Sequence, residues 1–471
     1  MNILQNIEPK SVMSFFEDIC AIPHGSGNTK QISEYCLAKA REMGLEEVAD
    51  GMNNVIIKKP ASAGYENRPA VILQAHLDMV CEKKHDCKID FEKDGLEIAV
   101  EGDFITANGT TLGGDDGIGV AMILAVLKDK NLAHPPIEAL FTTDEETGMF
   151  GVAALDGSKL FGRKLINIDS EVEGVLTVSC AGGARAEIRL PAEKSVPTSP
   201  CYELIIDGLK GGHSGVEIHK GRHNSNMLMA ELLKELKHPY NIIDIEGGSK
   251  DNAIPARTVC TVSTSEDIKA IATEFKNKKL TDEEPELEIG VFERPYAVSG
   301  FSFEASAKIT EFLLSLPNGV QKMSEDIKGL VQTSLNLGIL KTEKSGIYLT
   351  FAVRSSVNDE KTELLSLLKS LTLNAGGEFE ESGHYPAWEY RKNSPLRDTM
   401  VELFDKLYGK KPVVEAIHAG LECGILSDKL PNLDAVSFGP DMEGIHTPAE
   451  RLSVSSVERS YNYLCKVLEN L

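Results

Sequence analysis

Acidic and histidine side chains recur in five short segments, which lie at the ends of apolar runs or beside them. The first segment, AVILQAHLDMV, ends its apolar run at His76 and places Asp78 two residues later. In a strand, residues two apart lie on one face. A histidine beside a carboxylate is typical of a metal ligand held by a neighbouring side chain. A single His-x-Asp motif is equally compatible with an ordinary loop, so this pair gains weight only with the other segments.

Two adjacent aspartates, Asp115 and Asp116, lie among four glycines at the start of an unusually apolar helix in TLGGDDGIGVAMILAVL. One aspartate there can be the N-cap of the helix, accepting a hydrogen bond from its first amide groups. Because one cap uses one carboxylate, the other is a candidate ligand. The residues alone leave open which aspartate has which role.

Three consecutive carboxylates, Asp144, Glu145 and Glu146, come just after the strand-like segment IEALFTT. Carboxylates this close repel one another, which raises their pKa values unless a cation lies among them. A solvated surface turn is the alternative, but the preceding buried strand argues against it. Since adjacent glutamates point in different directions, one can bind a metal while the other holds a water molecule.

The last two segments supply one candidate each. Asp169 ends the strand-like segment KLINID, and His446 lies in a loop between a predicted strand and a helix, where a lone histidine could simply be solvated. Two histidines and three carboxylates suit zinc, cobalt or manganese. With one aspartate bridging two ions, each ion would have a histidine, a carboxylate and the bridge, with room for a shared water. The candidate ligands are His76, Asp115, Glu146, Asp169 and His446.

The elements around these segments predict an α/β domain interrupted by an insertion. Residues 1–182 alternate strand-like and helix-like runs, and residues 393–471 resume that style. This alternation is typical of a mixed, mostly parallel sheet with helices on both faces. Because such sheets bind ligands at the carboxyl ends of their strands, we expect this discontinuous domain to be the metal-binding catalytic domain.

The pattern of residues 183–392 predicts an inserted α+β domain. A strand–helix–strand–helix order occurs twice in it, which indicates a duplicated βαβ unit; chance similarity is the alternative. The first copy is assigned to residues 202–209, 224–236, 257–265 and 266–277, and the second to residues 286–292, 306–316, 346–356 and 359–371.

Composition narrows the class of protein. The 471 residues are 42% hydrophobic and 26% charged, which is typical of globular chains. The net charge of −23 argues against nucleic-acid binding, because phosphate backbones are also negative. Nine scattered cysteines indicate reduced thiols and a cytoplasmic setting. The N-terminus lacks signal-peptide features, and the longest apolar segment, residues 118–127, is far shorter than the ~20 residues of a membrane span.

Five motifs in this order, HLDMV, GGDDGIG, DEETG, INIDSE and GIHTP, resemble the metal-binding segments of the M20 metallopeptidases. The resemblance covers essentially the whole chain. Within the family, the chain is most similar to the branch of aminoacyl-histidine and cytosol non-specific dipeptidases. It implies that His76 and His446 are the terminal ligands of two metal ions and that Asp115 bridges them. Glu146 and Asp169 would complete the two coordination spheres. It also implies a cis peptide bond after Asp115.

The same resemblance assigns residues to catalysis. Asp78 would brace His76, and Glu145 would be the general base that takes a proton from the attacking water and delivers it to the leaving amine. His213 resembles the insertion-domain histidine that stabilises the oxyanion. Asn252 and Arg354 match insertion-domain residues that hold the substrate, and Arg354 could form a forked pair with its carboxylate. Because such residues must reach a metal site in the other domain, the resemblance implies that the insertion, residues 183–392, closes over the substrate as a lid.

The resulting expectation is metal-dependent hydrolysis of dipeptides with a free N-terminus, including Xaa-His dipeptides, with two divalent ions, zinc first and cobalt or manganese as alternatives. A tripeptidase, an N-acyl-amino-acid hydrolase or a carboxypeptidase on the same fold is the second reading, and a non-enzymatic metal-binding protein is the third. The duplicated insertion permits a homodimer but does not require one. Glu422 is a candidate partner for the substrate's ammonium group.

Overall fold

The computed structural model describes residues 3–471. The helices are α1 (Lys10–Cys20), α2 (Lys30–Met43), α3 (Gly114–Lys128), α4 (Phe150–Ala154), α5 (Ser225–Lys234), α6 (Ile268–Lys279), α7 (Phe303–Ser315), α8 (Asn358–Asn374), α9 (Pro395–Tyr408), α10 (Glu422–Lys429) and α11 (Val454–Asn470).

The strands are short in the N- and C-terminal parts of the chain and longer in its middle. They are β1 (Glu46–Ala49), β2 (Val55–Lys59), β3 (Val71–His76), β4 (Ile98–Glu101), β5 (Phe104–Ala107), β6 (Ile137–Thr142), β7 (Lys164–Asn167), β8 (Val175–Cys180), β9 (Gly182–Pro191), β10 (Lys194–Ser195), β11 (Cys201–Asp207), β12 (Gly212–His213), β13 (Asn241–Gly247), β14 (Ala253–Ile254), β15 (Thr258–Ser263), β16 (Glu288–Arg294), β17 (Gly300–Phe301), β18 (Gly319–Met323), β19 (Val331–Glu343), β20 (Gly346–Ser355), β21 (Glu378–Tyr385), β22 (Val413–Ile417), β23 (Asp434–Ser437), β24 (Met442–Glu443) and β25 (Arg451–Ser453).

The chain folds into two compact units. The first unit contains the residues up to Ser179 together with Tyr390–Ala416 and Leu421–Leu471. The second unit contains Cys180–Glu389 and the short segment Ile417–Gly420. The chain therefore enters the second unit twice, once for a long insertion and once for four residues. Among the described residues, no helix is both long and apolar enough to cross a membrane.

The first unit is built on an eight-stranded mixed sheet with the order β1-β2-β6-β3-β7-β23-β8-β22. Its centre is parallel, since β3 pairs with β6 and β7, and β7 pairs with β23. The pairs β1–β2, β2–β6 and β8–β23 are antiparallel. Strands β3, β6 and β23 are buried along their whole length, which explains why they read as continuous apolar runs. The predicted α/β fold with a mixed sheet is confirmed.

Helix α3 packs against β3 and carries the aspartate pair in its first turn. Every residue from Gly114 to Leu127 is buried. A helix that is apolar on all sides is stable only when other elements surround it, and α1, α2 and α11 also pack against α3. The first turn of α3 is consequently held by packing on several sides.

The sheet of the second unit is antiparallel in every pairing along its path and consists of two similar halves. In the first half, β11, α5, β13, β15, α6 and β16 follow one another, and the sheet order is β16-β11-β15-β13. In the second half, β9, α7, β19, β20, α8 and β21 give the order β21-β9-β20-β19. Both halves have the βαββαβ arrangement known as ferredoxin-like. Pairing of β13 with β19 joins them.

One assignment within this duplication was wrong. Residues 286–292 were assigned to the first strand of the second copy, but they contribute to β16, the last strand of the first half. The first strand of the second half is β9, which precedes the whole first half in the chain. The first half is thus inserted between β9 and α7, and one buried core underlies both halves.

Candidate metal centre

Three neighbouring strands of the first unit deliver acidic or histidine side chains at their carboxyl ends. His76 is the last residue of β3, Glu145 and Glu146 lie in the turn after β6, and Asp169 lies two residues after β7. Because β3, β6 and β7 are parallel neighbours, these three ends meet at one edge of the sheet. The first turn of α3 adds Asp115.

Asp115 lies at the centre of the group, with one carboxylate oxygen towards each of two histidines. Its Oδ1 is 3.1 Å from Nε2 of His76, and its Oδ2 is 3.1 Å from Nε2 of His446. His446 comes from the loop between β24 and β25. A carboxylate whose two oxygens face separate imidazole nitrogens has the arrangement that a ligand shared between two cations requires.

Each histidine also has a second carboxylate. Nε2 of His76 is 3.6 Å from Oδ1 of Asp169, and Nε2 of His446 is 2.9 Å from Oε1 of Glu146. The five residues chosen from the sequence therefore come together as two histidine–carboxylate pairs on either side of Asp115. That they bind metal remains a prediction.

The second aspartate of the pair has a different position. Asp116 is fully buried, and its Oδ2 accepts a hydrogen bond of 3.1 Å from the backbone N–H of His76. Ligand atoms of His76, Asp116 and Asp169 also lie within 4.8 Å of one another, so Asp116 is a geometric alternative to Asp115 as a ligand. We favour Asp115, because Asp116 already holds the end of β3 while Asp115 faces both imidazoles. The peptide bond between the two is cis.

Asp78 supports the ligands through hydrogen bonds. Its carboxylate accepts the backbone N–H groups of Glu145 at 3.0 Å and Glu146 at 3.3 Å, and the hydroxyl of Ser26 at 2.8 Å. Nδ1 of His76 is 2.9 Å from the backbone oxygen of Asp78. The buried Asp78 thus connects β3 to the turn after β6, as a residue that braces the site should. Ser26 was missed, although its position between two glycines marked a turn.

Two residues of the site have backbone conformations that are rare for residues with a Cβ atom. Asp144 has φ 55° and His446 has φ 59°. Such values are uncommon outside glycine and are maintained only when surrounding contacts require them. For Asp144 one such contact is the hydrogen bond that its Oδ1 accepts from the N–H of Gly27 at 2.6 Å.

Glu422 is a buried side chain of the first unit. It is fully buried at the start of α10, where its Oε2 accepts hydrogen bonds from Gln74 Nε2 at 2.6 Å and Thr142 Oγ1 at 2.7 Å. Burial raises the pKa of Glu422 to about 8. Gln74 and Thr142 belong to β3 and β6, so in this structure Glu422 supports the strands that carry His76 and Glu145. Its predicted contact with an ammonium group remains untested.

The three remaining predicted residues belong to the second unit. His213 is in β12, which pairs with β14, and the backbone oxygen of Asn252 accepts the N–H of Ser214 at 2.8 Å. Nδ1 of His213 accepts the backbone N–H groups of Gly215 and Val216, both at 3.2 Å. With Nδ1 as the acceptor, the proton of a neutral imidazole is on Nε2. Burial and nearby Arg354 lower the pKa of His213, which favours this neutral form.

Arg354 lies in β20 within a basic cluster of the second unit. Its guanidinium donates to the hydroxyl of Tyr385 at 2.9 Å, and its Nε has no acceptor among residues 3–471. Ser334, its cross-strand neighbour, contacts Nε2 of His418 at 2.7 Å. Burial, Arg354 and His213 lower the pKa of His418 to about 3. Sequence reasoning missed Tyr385 and His418, whose only common feature is proximity to Arg354 in the fold.

Comparison with known proteins decides the family. Residues 72–470 match the family described as peptidase family M20/M25/M40. The chain belongs to this family of peptidases. It is 37% identical to the cytosol non-specific dipeptidase of Escherichia coli strain K12, over 100% of this chain and 99% of that protein. The M20 assignment confirms the family predicted from the sequence, and the protein is a peptide hydrolase.

Solved structures agree with the M20 assignment. The crystal structure of aminoacylhistidine dipeptidase from Vibrio alginolyticus matches with a TM-score of 0.94 and 36% identity, covering 99% of this chain and 98% of that chain. An aminopeptidase structure from Bacillus cereus matches with a TM-score of 0.58 and 16% identity over 98% of both chains, which shows a shared fold alone.

The electrostatics of the M20 site fit a cation. Burial alone would lower the pKa of His76, but contacts with Asp115, Asp169 and Asp78 hold it well above its usual value. Hydrogen bonds from His446 to Asp115 and Glu146 raise the pKa of His446 to about 10. The carboxylates thus strongly stabilise positive charge nearby. In the metal-free protein, the protons on the two imidazoles balance part of the negative charge of the carboxylates. Nitrogen and oxygen ligands in this ratio suit zinc and related divalent ions.

These pKa shifts predict opposite effects of pH on the metal-free and metal-loaded protein. Because the pKa values of His446 (about 10) and Glu422 (about 8) are raised, these two groups hold more protons above about pH 7 in the folded metal-free protein than in the unfolded chain. Below that pH, the lowered pKa of His418 (about 3) opposes the raised pKa of Asp169 (about 6). Stability of the metal-free protein should therefore fall as pH rises from about 7 to about 10. Metal binding strengthens over the same range, because ligands must be deprotonated.

Thermal unfolding of chelator-treated and zinc- or cobalt-reconstituted protein would measure this effect. We expect the increase in Tm caused by metal to be larger at about pH 8.5 than at about pH 6. If the increase in Tm caused by metal became smaller as pH rises, the raised pKa values of these residues in the metal-free protein would be wrong.

Proposed function

We propose that this protein is a metal-dependent dipeptidase that hydrolyses dipeptides with a free N-terminus. The observation that carries the proposal is the position of Asp115, whose two oxygens each lie 3.1 Å from the imidazole of a different histidine. A site for one cation would not need a carboxylate placed between two histidine–carboxylate pairs. A binding protein would not need Glu145 beside that site either.

His76, Asp169 and Asp115 would hold one divalent ion, and His446, Glu146 and Asp115 the other. Zinc is the first candidate because of the mixed imidazole and carboxylate ligands, with cobalt or manganese as alternatives. When bound, such ions lower the pKa of water and polarise a carbonyl oxygen.

Glu145 is the proposed general base. It follows strand β6 and is the neighbour of Glu146, and its carboxylate lies within 4.8 Å of ligand atoms of His76 and Glu146, close enough to bind a metal itself. We assign it the base role because the five proposed ligands are sufficient without it. Burial, Asp169 and Glu422 raise the pKa of Glu145 well above its usual value, although His76 opposes this shift. A carboxylate that holds a proton more tightly is a better acceptor for the proton of the attacking water, which it then passes to the leaving amine.

His213, Asn252 and Arg354 are the proposed substrate-binding residues of the second unit. A neutral His213 with its proton on Nε2 can donate a hydrogen bond to the oxyanion of the tetrahedral intermediate. Arg354 retains a buried Nε without an acceptor among residues 3–471, which suits a planar carboxylate at the C-terminus of a dipeptide. His418 and Tyr385 would assist Arg354 there.

The names of the relatives support the choice of substrate. The E. coli relative is a non-specific dipeptidase of the cytosol, and the Vibrio structure is of an aminoacylhistidine dipeptidase. We therefore propose dipeptides, including Xaa-His, as substrates and the cytosol as the location. Tripeptides, N-acyl amino acids and C-terminal residues of longer peptides are the competing substrates.

A substrate panel tests this choice directly. The metal-reconstituted protein should hydrolyse a free dipeptide such as Ala-His, and should cleave its N-acetylated form and the corresponding tripeptide at least about tenfold more slowly, because a specific polar contact discriminates by this amount or more. Turnover of all three would be measured by chromatography of substrate and products, because a tripeptide cut at its first peptide bond releases no free histidine. Cleavage of only the N-acetylated compound would reject the dipeptidase proposal in favour of an N-acyl-amino-acid hydrolase.

Replacing Glu145 tests the proposed base. Glu145→Gln preserves size and removes the proton acceptor, so we expect kcat to fall by about 10²–10⁴-fold while metal content stays at the wild-type level. Metal analysis and steady-state kinetics on the same preparation separate the two effects. Glu101→Gln, at an exposed position of β4, is the control and should leave both unchanged. Wild-type turnover in Glu145→Gln would exclude the base role.

Replacing His213 tests the proposed oxyanion donor. We expect His213→Ala to reduce kcat by about 10²–10³-fold with a small change in KM, because the lost hydrogen bond strengthens only in the transition state. His219→Ala, at an exposed position six residues later, provides the matched control. If KM rose while kcat stayed constant, His213 would be a substrate-binding residue rather than an oxyanion donor.

A further inference from the structure

Glu450 is a buried carboxylate outside the predicted ligand set. Its hydrogen bonds connect the loop that carries His446 to the turn that precedes Asp115. It is 4% exposed. Its Oε2 accepts the backbone N–H groups of Leu112 at 2.7 Å and Gly113 at 3.2 Å, and its Oε1 accepts the N–H of Gly114 at 2.8 Å. Three amide donors from consecutive residues thus converge on one side chain.

The two ends of this contact are adjacent to ligands. Gly114 directly precedes Asp115, and Glu450 lies four residues after His446. The loop around His446 is itself closed, because the N–H of Thr447 donates to the oxygen of Gly444 at 3.2 Å and the N–H of Glu450 donates to that of Thr447 at 3.1 Å. A shift of Glu450 would therefore change the separation of Asp115 and His446.

The glycines of the turn leave space for this carboxylate and for little else. A Cβ atom on Gly114 would lie 3.2 Å from Oε1 of Glu450 and 3.2 Å from the sulfur of Met442. Gly113 has φ 66°, and a Cβ atom there would lie 2.9 Å from the sulfur of Met79. The close packing means that the turn cannot easily find another acceptor for its amide groups.

Glu450 also explains why both aspartates of the pair are free for other contacts. The sequence leaves one of them as the acceptor for amide groups at the start of α3. In the structure Asp115 faces two imidazoles, Asp116 accepts the N–H of His76, and Glu450 accepts the amides just before them. A residue more than 330 positions away along the chain therefore holds the backbone that leads into α3.

We infer that Glu450 is a positioning residue of the metal centre, which holds Asp115 at the distance from His446 that a pair of cations requires. The inference rests on the proposed dimetal function. Residues that orient ligands in this way typically change metal affinity or activity by 10–100-fold when they are replaced.

Cobalt titration of the metal-free protein tests the inference, with visible absorption as the readout of ligand geometry. Glu450→Gln keeps the size of the side chain but has one acceptor oxygen, and its NH₂ group would face an amide donor. We expect this variant to bind at least one of the two cobalt ions about 10–100-fold more weakly than the wild type and to show an altered absorption band. Its metal-free form should still unfold cooperatively.

Glu443→Gln is the matched control, since Glu443 lies in the same loop region but is exposed and pairs with Arg451. It should bind cobalt as the wild type does. Wild-type affinity and spectrum in Glu450→Gln would overturn the inference, whereas failure of the wild type to bind two ions would reject the proposed function instead. If Glu450→Gln does not fold, Glu450→Asp takes its place with the same expectation. Loss of folding in both would overturn the positioning role, because Glu450 would then serve the fold as a whole.

Discussion

The metal centre depends on holding several carboxylates together where little water can reach them. Asp115, Glu146 and Asp169 repel one another, and each loses hydration on burial, so the cluster is unfavourable without positive charge. In the metal-free protein that charge comes from protons, which is why the pKa values of His76 and His446 are raised. Within the proposed function, the same excess of negative charge would favour the binding of divalent cations.

This constraint explains the arrangement of the surrounding groups. Ligands that repel one another separate unless other contacts prevent it, and here those contacts involve backbone amides. Asp78 accepts the amides of Glu145 and Glu146, Asp116 accepts that of His76, and Glu450 accepts three before Asp115. Each hydrogen bond connects one ligand-bearing segment to another. The supporting residues are themselves buried acids, so the amides both orient the ligands and stabilise the carboxylates that hold them.

The sequence predicts the ligands that lie at strand ends, but not all the residues that hold these ligands through contacts between distant segments. His76 and Asp169 end apolar strands, and strand ends of a parallel sheet meet, so their convergence followed from pattern alone. His446 lies in a loop with φ 59°, and as a lone loop histidine it became a candidate only in combination with the other four segments. Glu450 and Ser26 act through contacts between distant parts of the chain. The spacing of apolar residues along the sequence predicts helices and strands but not such contacts. Residues 286–292 were placed in the wrong half of the second unit for the same reason, because the sequence of a strand does not show which other strand it pairs with.

The candidate metal site of the first unit and the cluster around Arg354 in the second unit differ in charge. The site of the first unit is rich in carboxylates, whereas the cluster around Arg354 in the second unit contains His213 and His418 and has a guanidinium N–H without an acceptor among residues 3–471. A free dipeptide carries an ammonium group at one end and a carboxylate at the other. Within the proposed function, acetylation of the substrate removes the first charge and amidation removes the second. A hydrolase that distinguished only the scissile bond would need neither charge. Arg354 is therefore the residue of the second unit on which the proposed preference for free dipeptides depends.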